Sequence, residues 1–332
     1  MAQLLEVSHL TVGYGWEGEP TVKVVQDMEL TVRAGEVLGI AGESGCGKTT
    51  SALAATGLLE PPGRILSGEI RFQGRDLLAM SPEELRRIRL REIAMVFQAS
   101  MNVLNPVMRV RDQFLDALAA HGVSSPAQAR RRAEAAFDLV KIPRRFLYAY
   151  PHQLSGGMRQ RTVIALSLVL RPKLIFMDEP TTALDVVVQR AILQSVNDLR
   201  RELGFGVVFI THDLSLLIEI ADRIAIMYAG LVVEEAPARE LYDHPRHPYT
   251  RALMKAFPPV GGERRRLEGI PGQPPDLRRL PPGCPFAPRC PQRIADTCDV
   301  ARPLTVEVAA AHRVACHLYP GRGEGDGGAL AR

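Results

Sequence analysis

The sequence predicts an α/β fold that combines a parallel sheet with antiparallel strands and a helical subdomain. Uninterrupted apolar runs are typical of parallel strands that are buried on both faces. VLGIA (37–41) is such a run, and the buried, strand-like runs LIFMD (174–178) and VVFIT (207–211) are apolar up to their last residue. Two segments near the start of the chain, 4–12 and 22–32, instead alternate apolar and polar residues, as half-buried antiparallel strands do.

The remaining elements follow in chain order. SGEIRFQG (67–74) predicts a further antiparallel strand pair, and from about 81 to 170 the pattern becomes helical. One helix in this stretch has a clear start, because Ser125 can cap it and Pro126 suits its first position. Its apolar face is predicted to hold Ala133, Phe137 and Val140.

Length and composition narrow the class of protein. The 332 residues exceed the roughly 250–300 at which a single core stops growing, so we expect a large domain with an appendage, or two domains. Hydrophobic residues make up 46% and charged residues 23%, which excludes wholesale disorder. The net charge of +4 is too small to indicate nucleic-acid binding. The sequence shows neither a signal peptide nor an apolar stretch long enough to span a membrane, so we expect a cytoplasmic protein.

A phosphate-binding loop follows the first apolar run. GESGCGKTT (42–50) matches G-x-x-x-x-G-K-[ST] in the required context, directly after a strand. Glycines let successive backbone N–H groups face a phosphate, Lys48 is expected to reach the β- and γ-phosphates, and Thr49 is expected to ligate Mg²⁺. The predicted nucleotide-binding residues of this loop are Gly42, Glu43, Ser44, Gly45, Cys46, Gly47, Lys48, Thr49 and Thr50.

Polar residues at further strand ends complete this site. Ligands bind beyond the carboxyl ends of the strands in open α/β sheets. We expect Asp178 to contact Mg²⁺ through water and Glu179 to act as general base on the attacking water. His212 is placed to polarise the γ-phosphate. Without the polar residues at the other strand ends, a helix-capping role would be the favoured interpretation of this histidine. Gln98, after the apolar run AMVF, could complete the Mg²⁺ shell.

A second candidate anion site lies in LSGGMRQ (154–160). Ser155 can cap the helix that follows, and Gly156 and Gly157 remove side chains from the start of that helix. A second such helix start is unusual for a small-molecule kinase that already has a phosphate loop.

The order of these motifs resembles the ATPase subunit of ABC transporters over about residues 1–255. The order is GESGCGKT, Gln98, LSGGMRQ, LIFMDE, ALD (183–185) and His212. The resemblance implies a P-loop NTPase fold of the ABC type and a head-to-tail dimer. In that dimer, Ser155, Gly156, Gly157 and Asp185 would serve the nucleotide of the partner. Tyr14 matches the aromatic residue that stacks on adenine, but the sequence alone fits a core tyrosine equally well.

The C-terminal part of the sequence resembles one subgroup of these ATPases. HPRHPYTRALMKAFP (244–258), the Pro-rich segment 258–283 and GCPFAPRC (283–290) resemble the D-type ATPases of dipeptide and oligopeptide importers. That family implies an F-type second ATPase subunit, two membrane permeases and an extracytoplasmic binding protein, with the chain peripheral at the cytoplasmic face of the membrane. SMNVLNPVMRV (100–110) resembles the family's permease-contacting region. The expected domains are an ATPase domain over 1–255, with a helical subdomain at about 99–170, and a Pro-rich, four-cysteine region over 256–332.

Four cysteines cluster in the last part of the chain. Their spacing matches neither ordinary zinc modules nor ferredoxins, which leaves zinc, iron–sulfur and no metal as alternatives. The resemblance implies a [4Fe–4S] cluster that staples the tail. The residues concerned are Cys284, Cys290, Cys298 and Cys316.

The leading hypothesis is therefore an ATP-hydrolysing subunit, using ATP and Mg²⁺, that energises import of di- or oligopeptides. Nickel complexes or oligosaccharides are alternative cargoes of the same class of ATPase. A soluble ABC ATPase that acts on nucleic acid, with a zinc module, is an alternative of another class. It would need a binding insert or tandem ATPase units, and neither is visible, so no nucleic-acid partner is expected.

Overall fold

The computed structural model describes residues 3–16, 18, 20–98, 103–180, 186–256 and 269–320. The strands are β1 (Gln3–Tyr14), β2 (Val22–Arg33), β3 (Val37–Ala41), β4 (Gly63–Phe72), β5 (Arg75–Asp76), β6 (Ile93–Val96), β7 (Leu174–Asp178), β8 (Gly206–Ile210), β9 (Arg223–Tyr228), β10 (Leu231–Pro237), β11 (Thr305–Ala309) and β12 (His312–Ala315). The helices are α1 (Lys48–Ala55), α2 (Pro82–Ile88), α3 (Val110–Ala120), α4 (Pro126–Leu139), α5 (Gly156–Leu168), α6 (Val186–Leu203), α7 (Leu214–Ile220), α8 (Ala238–Asp243) and α9 (Pro248–Lys255).

These strands form two sheets. The smaller sheet is antiparallel with the order β2-β1-β4-β5, as the alternating segments predict. The larger sheet has the order β11-β12-β10-β9-β3-β8-β7-β6. Its strands from β9 to β6 are parallel, whereas β10, β12 and β11 continue it in antiparallel fashion. The predicted α/β fold with a mixed sheet is confirmed.

Helices and the smaller sheet cover opposite faces of the parallel strands, which explains the uninterrupted apolar runs. Leu174 and Phe176 of β7 pack into a core shared with α1 and the antiparallel sheet. Ile175 and Met177 of the same strand pack into a second core with the helical region. Because successive side chains of a strand point to opposite faces, a strand between two cores must be apolar at every position.

The helical region matches its sequence signals, with one exception. The side-chain oxygen of Ser125 accepts a hydrogen bond from the N–H of Gln128, and Phe137 of α4 packs edge-on against Phe114 of α3. The exception is β6, which interrupts the stretch predicted to be helical from about 81 to 170. Its run IAMV is too short for a helix and pairs with β7 at the edge of the sheet.

The C-terminal residues 269–320 pack on the ATPase body. The hairpin of β11 and β12 extends the larger sheet, with Glu234 of β10 opposite Val314. The ring of His312 is buried and its Nε2 lies 2.7 Å from the carboxylate of Glu234. Residues 257–268 lie outside the described part of the chain, so the division near residue 255 stays a prediction.

The expected [4Fe–4S] cluster is a wrong prediction for this tail. All four tail cysteines lie within the described residues, and there no group of three or more His, Cys, Asp or Glu residues is arranged to hold a metal ion. Instead Cys284 and Cys298 are buried in the hydrophobic core, where burial raises the pKa of the Cys284 thiol to about 11. Metal ligation requires thiolates, which this apolar setting disfavours. The prediction of a cluster is therefore corrected, and so is the zinc alternative that the spacing left open: the four tail cysteines are free. Among the described helices, none is both long and apolar enough to cross a bilayer.

Candidate nucleotide-binding site

Four adjacent parallel strands bring the predicted site residues to one edge of the sheet. The strands β6, β7, β8 and β3 are neighbours, so their carboxyl ends lie side by side. Gln98 follows β6, Glu179 follows β7 and His212 follows β8, while the phosphate loop (Gly42–Gly47) connects β3 to α1. Residues far apart in sequence thereby share one site.

Close backbone contacts explain the glycines of the phosphate loop. A Cβ atom on Gly42 would lie 2.2 Å from the carbonyl oxygen of Met227, and one on Gly47 would lie 2.6 Å from that of Val24. Gly47 also has a φ of 103°, in the left-handed region, and directly precedes α1. A side chain at either position would force the loop away from its neighbours.

Lys48 places a positive charge inside the curve of this loop. Its Nζ donates to the carbonyl oxygens of Gly42 and Glu43 at 2.7 and 3.0 Å, and the residue is 6% exposed. Cys46 is also buried, with its Sγ 3.8 Å from that Nζ. Burial raises the pKa of the Cys46 thiol, so it acts here as a small apolar residue.

Thr49 and Asp178 form a pair that suits a divalent cation. Asp178 ends β7 and is almost fully buried, and the side chain of Thr49 opposes the effect of this burial on the pKa of the Asp178 carboxyl group. Its Oδ1 has no hydrogen-bond partner in the described part of the chain. Burial raises the pKa of this carboxyl group. A hydroxyl beside a buried, incompletely paired carboxylate is a donor set that Mg²⁺ prefers, so these residues fit the ion.

Glu179, which follows β7, contacts the residues that follow the two neighbouring strands, β6 and β8. Its backbone N–H donates to the carbonyl oxygen of Ile210 in β8 at 2.9 Å, and its φ of 44° is unusual for a residue other than glycine. The carboxylate Oε2 accepts from Nε2 of Gln98 at 3.1 Å, and Oε1 lies 3.1 Å from Nδ1 of His212. The candidate base is therefore held at both oxygens by two other residues predicted for the site.

Tyr14 lies beside the helix that follows the phosphate loop. Its hydroxyl oxygen lies 3.5 Å from the side-chain oxygen of Thr50 in α1. Tyr14 ends β1 and is partly exposed, which is compatible with a stacking surface for a base. That role stays a prediction.

The LSGG segment forms a capped helix start. The side-chain oxygen of Ser155 accepts from the N–H of Met158 at 3.3 Å, and Gly156 is the first residue of α5. A Cβ atom on Gly157 would lie 2.8 Å from Cγ1 of Val188 in α6. The fourth residue predicted to serve a partner's nucleotide, Asp185, lies outside the described residues.

The structure also reveals contacts to the phosphate loop that the motifs did not indicate. The carboxylate of Glu43 is bound by the guanidinium of Arg289, and the backbone N–H of Glu43 donates to the hydroxyl of Tyr249. Arg289 lies in the GCPFAPRC stretch of the tail, whose cysteines and family resemblance do not point to a role for this arginine. Neither contact could be inferred from spacing, because 246 residues separate Glu43 from Arg289.

Comparisons with known proteins agree with this geometry. Residues 25–182 match the family described as "ABC transporter", and residues 233–298 match "Oligopeptide/dipeptide transporter, C-terminal region". The oligopeptide transport ATP-binding protein OppD of Salmonella typhimurium is 45% identical over 303 residues, which cover 91% of this chain and 90% of that protein. The dipeptide transport ATP-binding protein DppD of Bacillus subtilis is 41% identical over 327 residues, covering 98% and 97%.

A solved structure shows the same fold for the cassette. The dimeric structure of MJ0796, a bacterial ABC transporter cassette, has a TM-score of 0.63 and 30% sequence identity, and the match covers 71% of this chain and 99% of that one. Sequence similarity over most of the chain thus agrees with the order of motifs and with the site at the edge of the sheet. This chain belongs to the ABC transporter family, among the ATP-binding subunits of its oligopeptide and dipeptide type.

Proposed function

We propose that this chain hydrolyses ATP to energise import of di- or oligopeptides, as a peripheral subunit at the cytoplasmic face of the membrane. The observation that carries the proposal is the placement of Glu179, whose carboxylate is held by Gln98 and His212. It lies next in sequence to Asp178, a buried carboxyl group whose pKa is influenced by the side chain of Thr49, the residue that follows Lys48. The names of relatives at 41–45% identity support peptides as the cargo.

The residues of the site divide the work of hydrolysis. Lys48 and the N–H groups of the phosphate loop bind the β- and γ-phosphates, and Tyr14 stacks on the adenine. Thr49, Asp178 and Gln98 would hold Mg²⁺, which neutralises phosphate charge when bound. Glu179 orients a water on the γ-phosphorus and takes its proton, as the bond to the leaving ADP oxygen breaks.

His212 has two tasks in this mechanism. Its Nδ1 fixes one carboxylate oxygen of Glu179, and its exposed ring is free to approach the γ-phosphate from the open side of the site. It is therefore a positioning residue for the base as well as a contact for the phosphate.

The second half of each site comes from a partner in this proposal. Ser155, Gly156, Gly157 and Asp185 close over ATP that is held by a second ATPase subunit of the F type, in a head-to-tail dimer. The capped, glycine-lined start of α5 supports this role, because its free N–H groups can approach an anion. The related MJ0796 cassette is itself dimeric in its solved structure.

Two membrane permeases and an extracytoplasmic binding protein would complete the transporter. Residues 103–109, which precede α3, include exposed apolar side chains that suit such a contact, with Val103 and Val107 being 51% and 80% exposed. Residues 100–102, which begin the predicted permease-contacting stretch 100–110, lie outside the described part. In this assignment the ATPase domain covers 1–255 and the four-cysteine C-terminal region covers 256–332.

The test is peptide uptake in the native cell. A strain that lacks this chain is complemented with the wild type, with Glu179→Gln, or with Glu202→Gln as a matched control on an exposed part of α6. We expect labelled di- and tripeptide uptake with the wild type and the control, and none with Glu179→Gln. Uptake supported by Glu179→Gln would refute its role. A deletion that leaves peptide uptake intact but abolishes uptake of nickel or oligosaccharides would refute the peptide cargo.

A further inference from the structure

We infer that Arg289 is a positioning residue of the nucleotide site, through which the C-terminal tail anchors the phosphate loop and sets its affinity for ATP. The inference rests on the proposed ATPase function and adds the tail to its machinery. Arg289 itself is not expected to touch the nucleotide. It acts through Glu43, the second residue of the loop.

The pair is built as a fixed, two-point contact. Nη1 and Nη2 of Arg289 donate to the two carboxylate oxygens of Glu43 at 2.7 and 3.0 Å. The side chain of Arg289 is only 6% exposed, and its pKa is raised mainly by the hydrogen bond to Glu43. Bidentate arginine–carboxylate pairs combine strong charge-assisted bonds with a defined geometry.

Further bonds hold Arg289 in place, one from the tail and one from the ATPase body. Its Nε donates to the carbonyl oxygen of Pro271 at 2.8 Å, and Nη1 also donates to the hydroxyl of Tyr228 at 3.2 Å. Phe286, three residues earlier, packs against Tyr228 and Tyr249 with ring centroids 5.3 and 5.4 Å apart. Contacts outside the phosphate loop therefore also hold the guanidinium in position.

Three separate groups of Glu43, its carboxylate, its N–H and its carbonyl oxygen, each form a hydrogen bond. The carboxylate binds Arg289, the backbone N–H donates to the hydroxyl of Tyr249 at 3.0 Å, and the carbonyl oxygen accepts from Nζ of Lys48 at 3.0 Å. Tyr249 belongs to the fully buried aromatic group just described. A loop fixed in this way loses less conformational freedom when it binds phosphates.

Charge gives the pair a second effect on binding. Glu43 puts a carboxylate into a loop that must bind the anionic phosphates of ATP, and like charges in a site oppose each other. The guanidinium of Arg289 cancels this charge within hydrogen-bond distance. Without Arg289 the carboxylate would be released, and it would repel the nucleotide as well as loosen the loop.

The test is equilibrium binding of a fluorescent ATP analogue, together with steady-state hydrolysis, in the assembled transporter. For Arg289→Ala we expect the Kd and KM for ATP to rise about tenfold, while kcat stays close to that of the wild type. Arg289→Lys should recover part of the affinity. The matched control is Arg293→Ala, which removes a half-exposed tail arginine whose ion-pair partner, Asp299, also lies in the tail; its Kd should equal that of the wild type.

A double-mutant cycle separates positioning from a general effect on folding. Glu43→Gln removes the charge, so Arg289→Ala should add little to the Kd in the Glu43→Gln background. An Arg289→Ala protein with wild-type Kd, or with the same loss in both backgrounds, would overturn the inference. If Arg289→Ala does not fold, the Kd of Arg289→Lys, alone and combined with Glu43→Gln, decides in the same way. A wild type that binds no ATP would instead refute the proposed function.

Discussion

Nδ1 of His212 lies 3.1 Å from Oε1 of Glu179, so the residues that follow two adjacent parallel strands meet at the edge of the sheet. The other carboxylate oxygen of Glu179 accepts from Gln98. The carboxylate of Glu179 is held between two side chains, and His212 is the one proposed also to contact the γ-phosphate. This arrangement makes distinct predictions for binding and for catalysis.

We expect His212→Ala to reduce kcat for ATP hydrolysis by about 10- to 100-fold, because the orientation of the base is lost together with a phosphate contact. The affinity for ATP should change less than about threefold, since Lys48 and the loop still hold the phosphates. His244→Ala is the matched control, because His244 is exposed and contacts a glutamate on α8, Glu240. Equal kcat values for the His212→Ala variant and the wild type would contradict the proposed role.

The parallel sheet and its site could be predicted because local patterns carry that information. Residues 174–177 (LIFM) are apolar at every position because both faces of the strand are buried, and the polar pair Asp178-Glu179 marks the end of the strand. Likewise, the glycines of the phosphate loop mark backbone approaches that a Cβ would block. In both cases one short segment contains the whole signal.

The remaining features depend on tertiary contacts that no segment encodes. Arg289 lies in a proline-rich tail, and its partner Glu43 belongs to a loop near the other end of the chain. The spacing of the tail cysteines was equally uninformative, because it does not show that Cys284 and Cys298 pack into the hydrophobic core. The short strand β6 was missed because its four apolar residues are too few to reveal a period.

Gly157→Ala is expected to damage the packing between α5 and α6. The new Cβ would lie 2.8 Å from Cγ1 of Val188, so the valine side chain or the helices must move, and we expect a cost of about 1–3 kcal/mol in the free energy of unfolding. Because α6 directly follows ALD (183–185), the shift should also lower ATP hydrolysis by the assembled transporter. Urea denaturation and phosphate release measure the two effects.

Val188→Ala provides the control for this steric explanation. Combined with Gly157→Ala it removes the opposing methyl group, so stability and hydrolysis should both recover toward the values of Val188→Ala alone. A double variant that regains stability but stays inactive would show that the alanine methyl obstructs the partner's nucleotide instead.

The stability of the protein should fall as the pH drops from about 6.5 to about 4, because of His247. This residue precedes α9 and its Nδ1 accepts from the N–H of Tyr249 at 3.0 Å. Burial lowers its pKa to about 4, from the ordinary histidine value of 6.5. In this window the unfolded chain binds a proton that the native ring does not, which lowers the free energy of unfolding by about 2 kcal/mol at pH 5. Above about pH 7 the effect vanishes.

His247→Asn keeps a side chain that can cap the helix but does not titrate. Urea unfolding at pH 7.5 and pH 5 should therefore show a smaller loss for His247→Asn than for the wild type, and equal losses in the two proteins would show that His247 does not cause the decline.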